Sequence, residues 1–275
     1  MLKSVFAVML ILMLSATAFA LEAQVLPESV YPGDAFMVRV RGADAKPLGV
    51  YHGGWLNFAP CGEGCYEAIA AIDLGDKPGE KKISINAFED NKDILLMVLP
   101  KEFPVTHLTL QPGKVTLSPE DEARAERETE MLKKLWKTVT AKSWKGEFAM
   151  PLDNSFSTAF GVKRIMNNVK TSVHTGLDIR GRTGEPVRAT NSGTVVVAQE
   201  LFYGGNTLVL DHGQGIYSYY MHLSKFMANV GDVVKKGDVV GEVGMTGRAT
   251  GPHLHFGVKI SETNANPLSV TKLPL

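Results

Sequence analysis

The stretch VGDVVKKGDVVGEVGMTGRATGPHLHF at 230–256 decides the fold. Pairs of valines are cut off every few residues by Gly-Asp or by a lone glycine, which is the rhythm of short strands and tight turns and not the spacing of a helix. The cadence continues upstream through GTVVVA (193–198), NTLVLDH (206–212) and GIYSYYMHL (215–223), and downstream through LHFGVKI (254–260). Residues 146–275 therefore read as an all-β domain of antiparallel strands and hairpins. The two Gly-Asp pairs also occur in lipoyl and biotinyl hairpins, but Lys235-Lys236 lacks the flanking methionines of a modifiable tip, so both pairs are read as turns.

The same stretch ends in His253-Leu254-His255, and five of the seven histidines lie between 174 and 255. On a strand, residues two apart share a face about 6.6–7 Å apart, so both imidazoles look into one site while Leu254 packs behind them. His174 and Asp178 in HTGLD would stand roughly 13 Å apart on a straight strand, so the chain must bend between them, and Gly176 permits the bend. Two imidazoles and a carboxylate around an ion, with one position left to water, describe a catalytic rather than a structural zinc site, suited to hydrolysis.

Upstream, residues 21–110 carry AFMVRV after Pro32-Gly33-Asp34, YEAIAAI, KKISINAF, DILLMVL and VTHLTL, short β-prone runs separated by turn residues. They predict an antiparallel β-sandwich, immunoglobulin-like in outline, with a binding, spacing or masking role. His52 and His107 stand alone there as surface or sheet residues. Cys61 and Cys65 in CGEGC, the chain's two cysteines, read as a small disulfide loop. They are too few for a closed zinc site.

Between the two β regions, 111–145 is read as a linker holding one helix, capped at Ser118 with Pro119 in its first turn and running to about Ala141. Acids lead and bases follow, as the helix dipole favours. Leu132, Leu135, Trp136 and Val139 form its apolar stripe, and nothing in it suggests more than a connection.

Composition narrows the function. With 44% hydrophobic and 21% charged residues the chain is globular, and 29 basic residues against 29 acidic leave no field for a nucleic-acid backbone. Lys3, the apolar run Val5–Leu14 and Ala18-Phe19-Ala20 read as a signal peptide over 1–20, hence export, most simply to a periplasm. Leu21, where a lipid-anchored chain would have Cys, speaks against a membrane tether.

Over about 147–269 the chain resembles the lysostaphin-type (LytM-like) zinc endopeptidases of bacterial peptidoglycan. The resemblance is carried by FGVKR (160–164), HTGLDIR (174–180), GEPVRATNSGTVV (184–196), YGGNTLVLDHGQG (203–215), YYMHLS (219–224), the opening stretch, and NPLS (266–269). It implies one zinc ion held by His174, Asp178 and His255, with His253 as general base and His222 stabilising the tetrahedral intermediate, roles that are exchangeable. It also implies peptidoglycan cross-links as substrate, in a groove of an antiparallel sheet. His212 is read as a turn histidine. Tyr203, Tyr217, Tyr219 and Tyr220 either line the groove or pack a strand, and Arg164 and Arg248 border the motifs within reach of substrate carboxylates. In some relatives a preceding segment covers the metal, so masking by residues 21–145 is a further expectation; any protein regulator is left open.

Two other functions compete. A catalytically silent wall-binding regulator on the same fold typically lacks a ligand, and here the set is complete. A two-carboxylate glycosidase needs paired acids, and Glu185, Glu200 and Glu242 show no such pairing.

Overall fold

A computed structural model describes residues 20–87, 90–108, 117–167 and 170–275. The signal-peptide reading falls, but for Ala20, outside the described residues. Among the described residues no helix is long and apolar enough to cross a membrane.

The chain is mostly β. In the amino-terminal region, one sheet orders the strands Glu22–Leu26, Ala35–Arg41, Cys65–Ala71 and Ala59–Gly62. The facing sheet orders Ser29–Val30, Asp90–Val98, Gly79–Ala87, Leu48–Tyr51 and Gly54–Trp55. Alternation along AFMVRV sends Phe36, Val38 and Val40 into the core between them, with Ile83, Ile85 and Leu96 opposite. A disulfide joins Cys61 and Cys65.

The other face of the first sheet is not solvated. Ala35, Met37, Ile69 and Ala71 belong to the same apolar cluster as Trp144, Phe148, Ile260 and Leu273 of the carboxy-terminal region. Polar contacts ring this seam. Asn266 takes a bond from its own N–H to Gly33 O (2.7 Å) and from Nδ2 to Asp34 Oδ1 (2.8 Å). Buried Glu67 meets Lys142 Nζ at 2.7 Å and Arg39 at 3.3 Å. The sandwich is thus fused to its neighbour through a sheet buried on both faces.

The carboxy-terminal sheet follows the order Phe156–Thr158, Leu177–Arg180, His253–Ile260, Ile216–Phe226, Gly205–Gly213, Gly193–Leu201 and Val233–Val234. Every pairing along this path is antiparallel. The Gly-Asp pairs are turns, as read: Asp232 Oδ2 accepts from Asn229 N and Asp238 Oδ2 from Lys235 N, both at 2.8 Å.

Three expectations are corrected. The described part of VTHLTL, read as a sandwich strand, leaves the sandwich: Val105–Leu108 pairs in parallel with Lys163–Met166, which pairs antiparallel with Lys170–Val173. His107 therefore lies on a strand beside the carboxy-terminal region. The helix spans Pro119–Trp136 and not up to Ala141, because β-branched Thr138, Val139 and Thr140 disfavour another turn. Its start is as read, Ser118 Oγ accepting from Asp121 N at 3.1 Å. Nor is the helix merely a connector. Trp136 packs on Tyr217 and Tyr219, and Glu128 Oε2 accepts from Phe202 N at 2.6 Å.

Candidate metal centre

Three neighbouring strands bring the titratable residues together. Asp178 stands directly opposite His255 across one antiparallel pair, and His255 opposite Met221, next to His222, across the other. His174 enters from the bend that the sequence required, between the strands Lys170–Val173 and Leu177–Arg180. Gly176 sits in that bend because a Cβ there would lie 2.5 Å from Phe256 O and 2.8 Å from His255 Nε2.

At the centre three ligand atoms face one another. Asp178 Oδ1 lies 2.9 Å from His174 Nε2 and 2.8 Å from His255 Nδ1, and the two nitrogens are 3.0 Å apart. His174 Nδ1 is 2.8 Å from Ala159 O. A carbonyl only accepts, so Nδ1 carries the proton and Nε2 turns a lone pair inward. Ligands about 2.0–2.1 Å from a tetrahedral zinc are separated by roughly 3.3 Å, so the triad needs to open by only a few tenths of an ångström to take the ion. Two imidazoles and a carboxylate are also the right donor chemistry. The residues present fit a zinc ion.

The carboxylate is committed. Burial works against its charge, but the close contacts with the His174 and His255 imidazoles outweigh burial and hold Asp178 far below the ordinary carboxylate range. Its second oxygen takes Arg164 Nη2 at 2.8 Å. Arg164, read as a surface or substrate-facing arginine, is thus spent on the ligand. His255 is pushed down from its ordinary pKa, chiefly by burial.

His222 and His253 face each other beside this triad, ring centroids 4.8 Å apart, with His253 Nε2 3.7 Å from Asp178 Oδ1. Each is fixed by a backbone carbonyl at Nδ1: Thr246 O for His222 (2.9 Å) and Gly251 O for His253 (2.8 Å). Both therefore hold a proton on Nδ1 and, when neutral, offer a bare Nε2. Burial, then the neighbouring His255 and His253, pushes His222 down to about 4. His222 also sits at φ 65°, a left-handed conformation that is costly for a residue with a Cβ. The bond from its N–H to Gly204 O, 2.7 Å, holds it there.

The remaining sequence candidates divide. His212 is buried away from the triad, bonded to Ser192 O at Nδ1 (2.7 Å) and to Ser218 Oγ at Nε2 (2.8 Å). Tyr217 and Tyr220 are packing residues, and Tyr203 is partly exposed. Tyr219 does more than pack. Its ring stacks on His255 at 6.0 Å and its hydroxyl donates to Thr175 O at 3.0 Å, bracing the bend beside His174. A tyrosine on alternate strand positions gave no signal for that role.

Residues 172–267 match the family model Peptidase family M23. Over 98 residues the chain is 41% identical to the DD-carboxypeptidase/endopeptidase Mpg of Neisseria meningitidis, covering 36% of this chain and 23% of that protein. Over 105 residues it is 39% identical to lysostaphin of Staphylococcus staphylolyticus, covering 38% and 22%. The chain thus spans less than a quarter of the length of these curated relatives. A crystal structure from Pseudomonas aeruginosa assigned to peptidase M23 aligns over 88% of this chain and 94% of its own, with TM-score 0.70 and 28% identity.

Proposed function

With residues 172–267 a peptidase family M23 domain, we propose that the chain is a zinc-dependent endopeptidase that hydrolyses peptide cross-links of bacterial peptidoglycan outside the cytoplasm. The observation that carries this reading is the convergence of three potential ligand atoms with two further imidazoles whose Nδ1 positions are tied to carbonyls. The name of a Vibrio cholerae relative, peptidoglycan DD-endopeptidase ShyB, supports the substrate. The Cys61–Cys65 bond supports an oxidising compartment.

His174, Asp178 and His255 would hold the ion, which when bound polarises a carbonyl and acidifies water at its open position. Arg164 keeps the Asp178 carboxylate turned to one side, leaving Oδ1 for the ligand set. His253 Nε2, beside Asp178, takes the proton from the attacking water as the new C–O bond forms, then returns it to the amine as the C–N bond breaks. Neutral His222 also presents Nε2 as an acceptor, so it first orients that water. It becomes a donor to the carbonyl oxygen only when it carries a second proton.

The test is metal content by mass spectrometry on the purified chain, with digestion of purified peptidoglycan by wild type and His255→Ala. One zinc per chain, and new peptide ends that the variant fails to produce, is the expected result. A chain that takes no zinc and cuts nothing would pass the protein to the silent wall-binding reading.

A further inference from the structure

Arg164 and Arg248 both border the matched motifs, and the structure separates them. Arg164 has its carboxylate, Asp178, at 2.8 Å. Arg248 has none: among the described residues no acidic side chain pairs with its exposed guanidinium, which lies 4.8 Å above the ring of Tyr203. An arginine in that state is usually a solvated surface residue. Four features distinguish this one.

The stack joins the two loops that hold His222. Gly204, next to Tyr203, accepts from His222 N, and Thr246, two residues before Arg248, accepts from His222 Nδ1. Two residues span at most about 7 Å of chain, so the Arg248 backbone is anchored close to the carbonyl that holds the imidazole. The loops are also tied to each other, by Arg248 N to Tyr203 O at 3.1 Å and Asn206 N to Thr246 Oγ1 at 2.9 Å. Tyr203 is supported from behind: Phe202 meets it edge-on at 5.1 Å, and Glu128 of the interdomain helix holds Phe202 N at 2.6 Å. A ring placed this firmly limits the freedom of the stacked guanidinium, whose planar fork of N–H donors stays exposed.

A preorganised, unpaired guanidinium next to a reacting centre suits a planar anion, and a carboxylate fits its fork with two parallel bonds. Resting on the endopeptidase reading above, we propose that Arg248, held on Tyr203, receives a free carboxylate of the substrate beside His222. The substrate class is then a cross-link whose cleaved amide is flanked by such a group, as in a D-alanyl bond to the side-chain amine of diaminopimelate. In that bond the carbon attached to the departing nitrogen itself bears a carboxylate. A glycine bridge offers no charge along its interior and leaves Arg248 without a partner.

The experiment uses two synthetic cross-linked peptides that differ at one group, the free carboxylate or its carboxamide, cleaved by the zinc-loaded full chain. Wild type should favour the carboxylate form by roughly tenfold in kcat/KM, the size of one charge-assisted hydrogen-bonded contact. Arg248→Ala should bring the two peptides to equal rates, and Arg248→Lys, keeping charge but losing the planar fork, should fall between. Equal cleavage of both peptides by wild type would overturn the inference and leave the endopeptidase reading standing. So would a preference that survives in Arg248→Ala. Cleavage of neither peptide by wild type, with zinc bound, would instead defeat the endopeptidase reading itself. Metal content and thermal melting of each variant show whether it has folded.

Discussion

His212 is a buried neutral imidazole whose contribution to stability has a defined pH signature. Burial pushes it down from the ordinary 6.5 to about 4, with only partial relief from the bond to Ser192 O. Below pH 6.5 the unfolded chain therefore binds a proton that the folded chain refuses, so stability is full above that pH and falls as the pH drops towards 4. From these two values the loss is about 2 kcal/mol between pH 7 and pH 5, levelling at about 3 kcal/mol below pH 4. The comparison is with His212→Asn, whose amide places a donor where Nδ1 stands and keeps the Ser192 bond while losing the one to Ser218. Urea unfolding with a chelator present, followed by fluorescence, gives the difference between the two proteins at each pH, in which the other titrating groups cancel. The variant should be the less stable at pH 7, and the gap should narrow by about 2 kcal/mol at pH 5. A gap equal at both pH values would refute the assignment of His212 as an imidazole kept neutral by its packing.

Two further predictions concern the support of the proposed metal ligands. Arg164→Ala frees Asp178 Oδ2 and should weaken zinc binding by about 10- to 100-fold, read by competition with a chromogenic chelator; unchanged affinity would mean that the pair does not orient the ligand. Gly257→Ala would place a methyl 2.0 Å from the Tyr219 ring, which must shift away from His255. The expected cost is about 1–3 kcal/mol in denaturant unfolding together with weaker zinc binding, and a variant that matches wild type in both would show the ring to be free to move.

The strand pattern was legible because it depends on side chains at regular spacing, and so was the possibility that the histidines and Asp178 converge; the choice of His174, Asp178 and His255 as the ligand set came from the family resemblance. Alternation places His253 and His255 on one face, and β-branched residues around Gly176 forbid the helix that would otherwise explain an i, i+4 pair. What set the tautomers of His222 and His253 was not legible. Their partners are the carbonyls of Thr246 and Gly251, and every residue has a carbonyl. Arg164 shows the same limit from another side: a charged residue near a motif reads alike whether it faces substrate or a ligand carboxylate. Val105–Leu108 misled because its β-propensity is real while its partner strand lies more than fifty residues away. Propensity identifies a strand and leaves its sheet open.

The second apolar face of the first sheet bears on masking. Ala35 and Met37 alternate with Phe36 and Val38, so AFMVRV is apolar on both sides, and a sandwich free in solvent would have polar residues on one of them. Those side chains share a core with Trp144, Phe148 and Ile260, and Glu67 is buried between Arg39 and Lys142. Removing residues 21–145 would therefore strip packing from the carboxy-terminal region together with any cover, and altered activity in such a truncation would not distinguish the two causes. The chain between sandwich and helix comes nearer the ligands. Phe103 packs against Gly161, where φ is +85° and a Cβ would lie 2.1 Å from the ring, and Val105–Leu108 lies beside the strand of Arg164, Thr106 in register with it. Arg164 in turn holds Asp178. Residues 103–106 are thus two contacts from the Asp178 carboxylate, and substitution there, with the shared core left intact, separates cover from support.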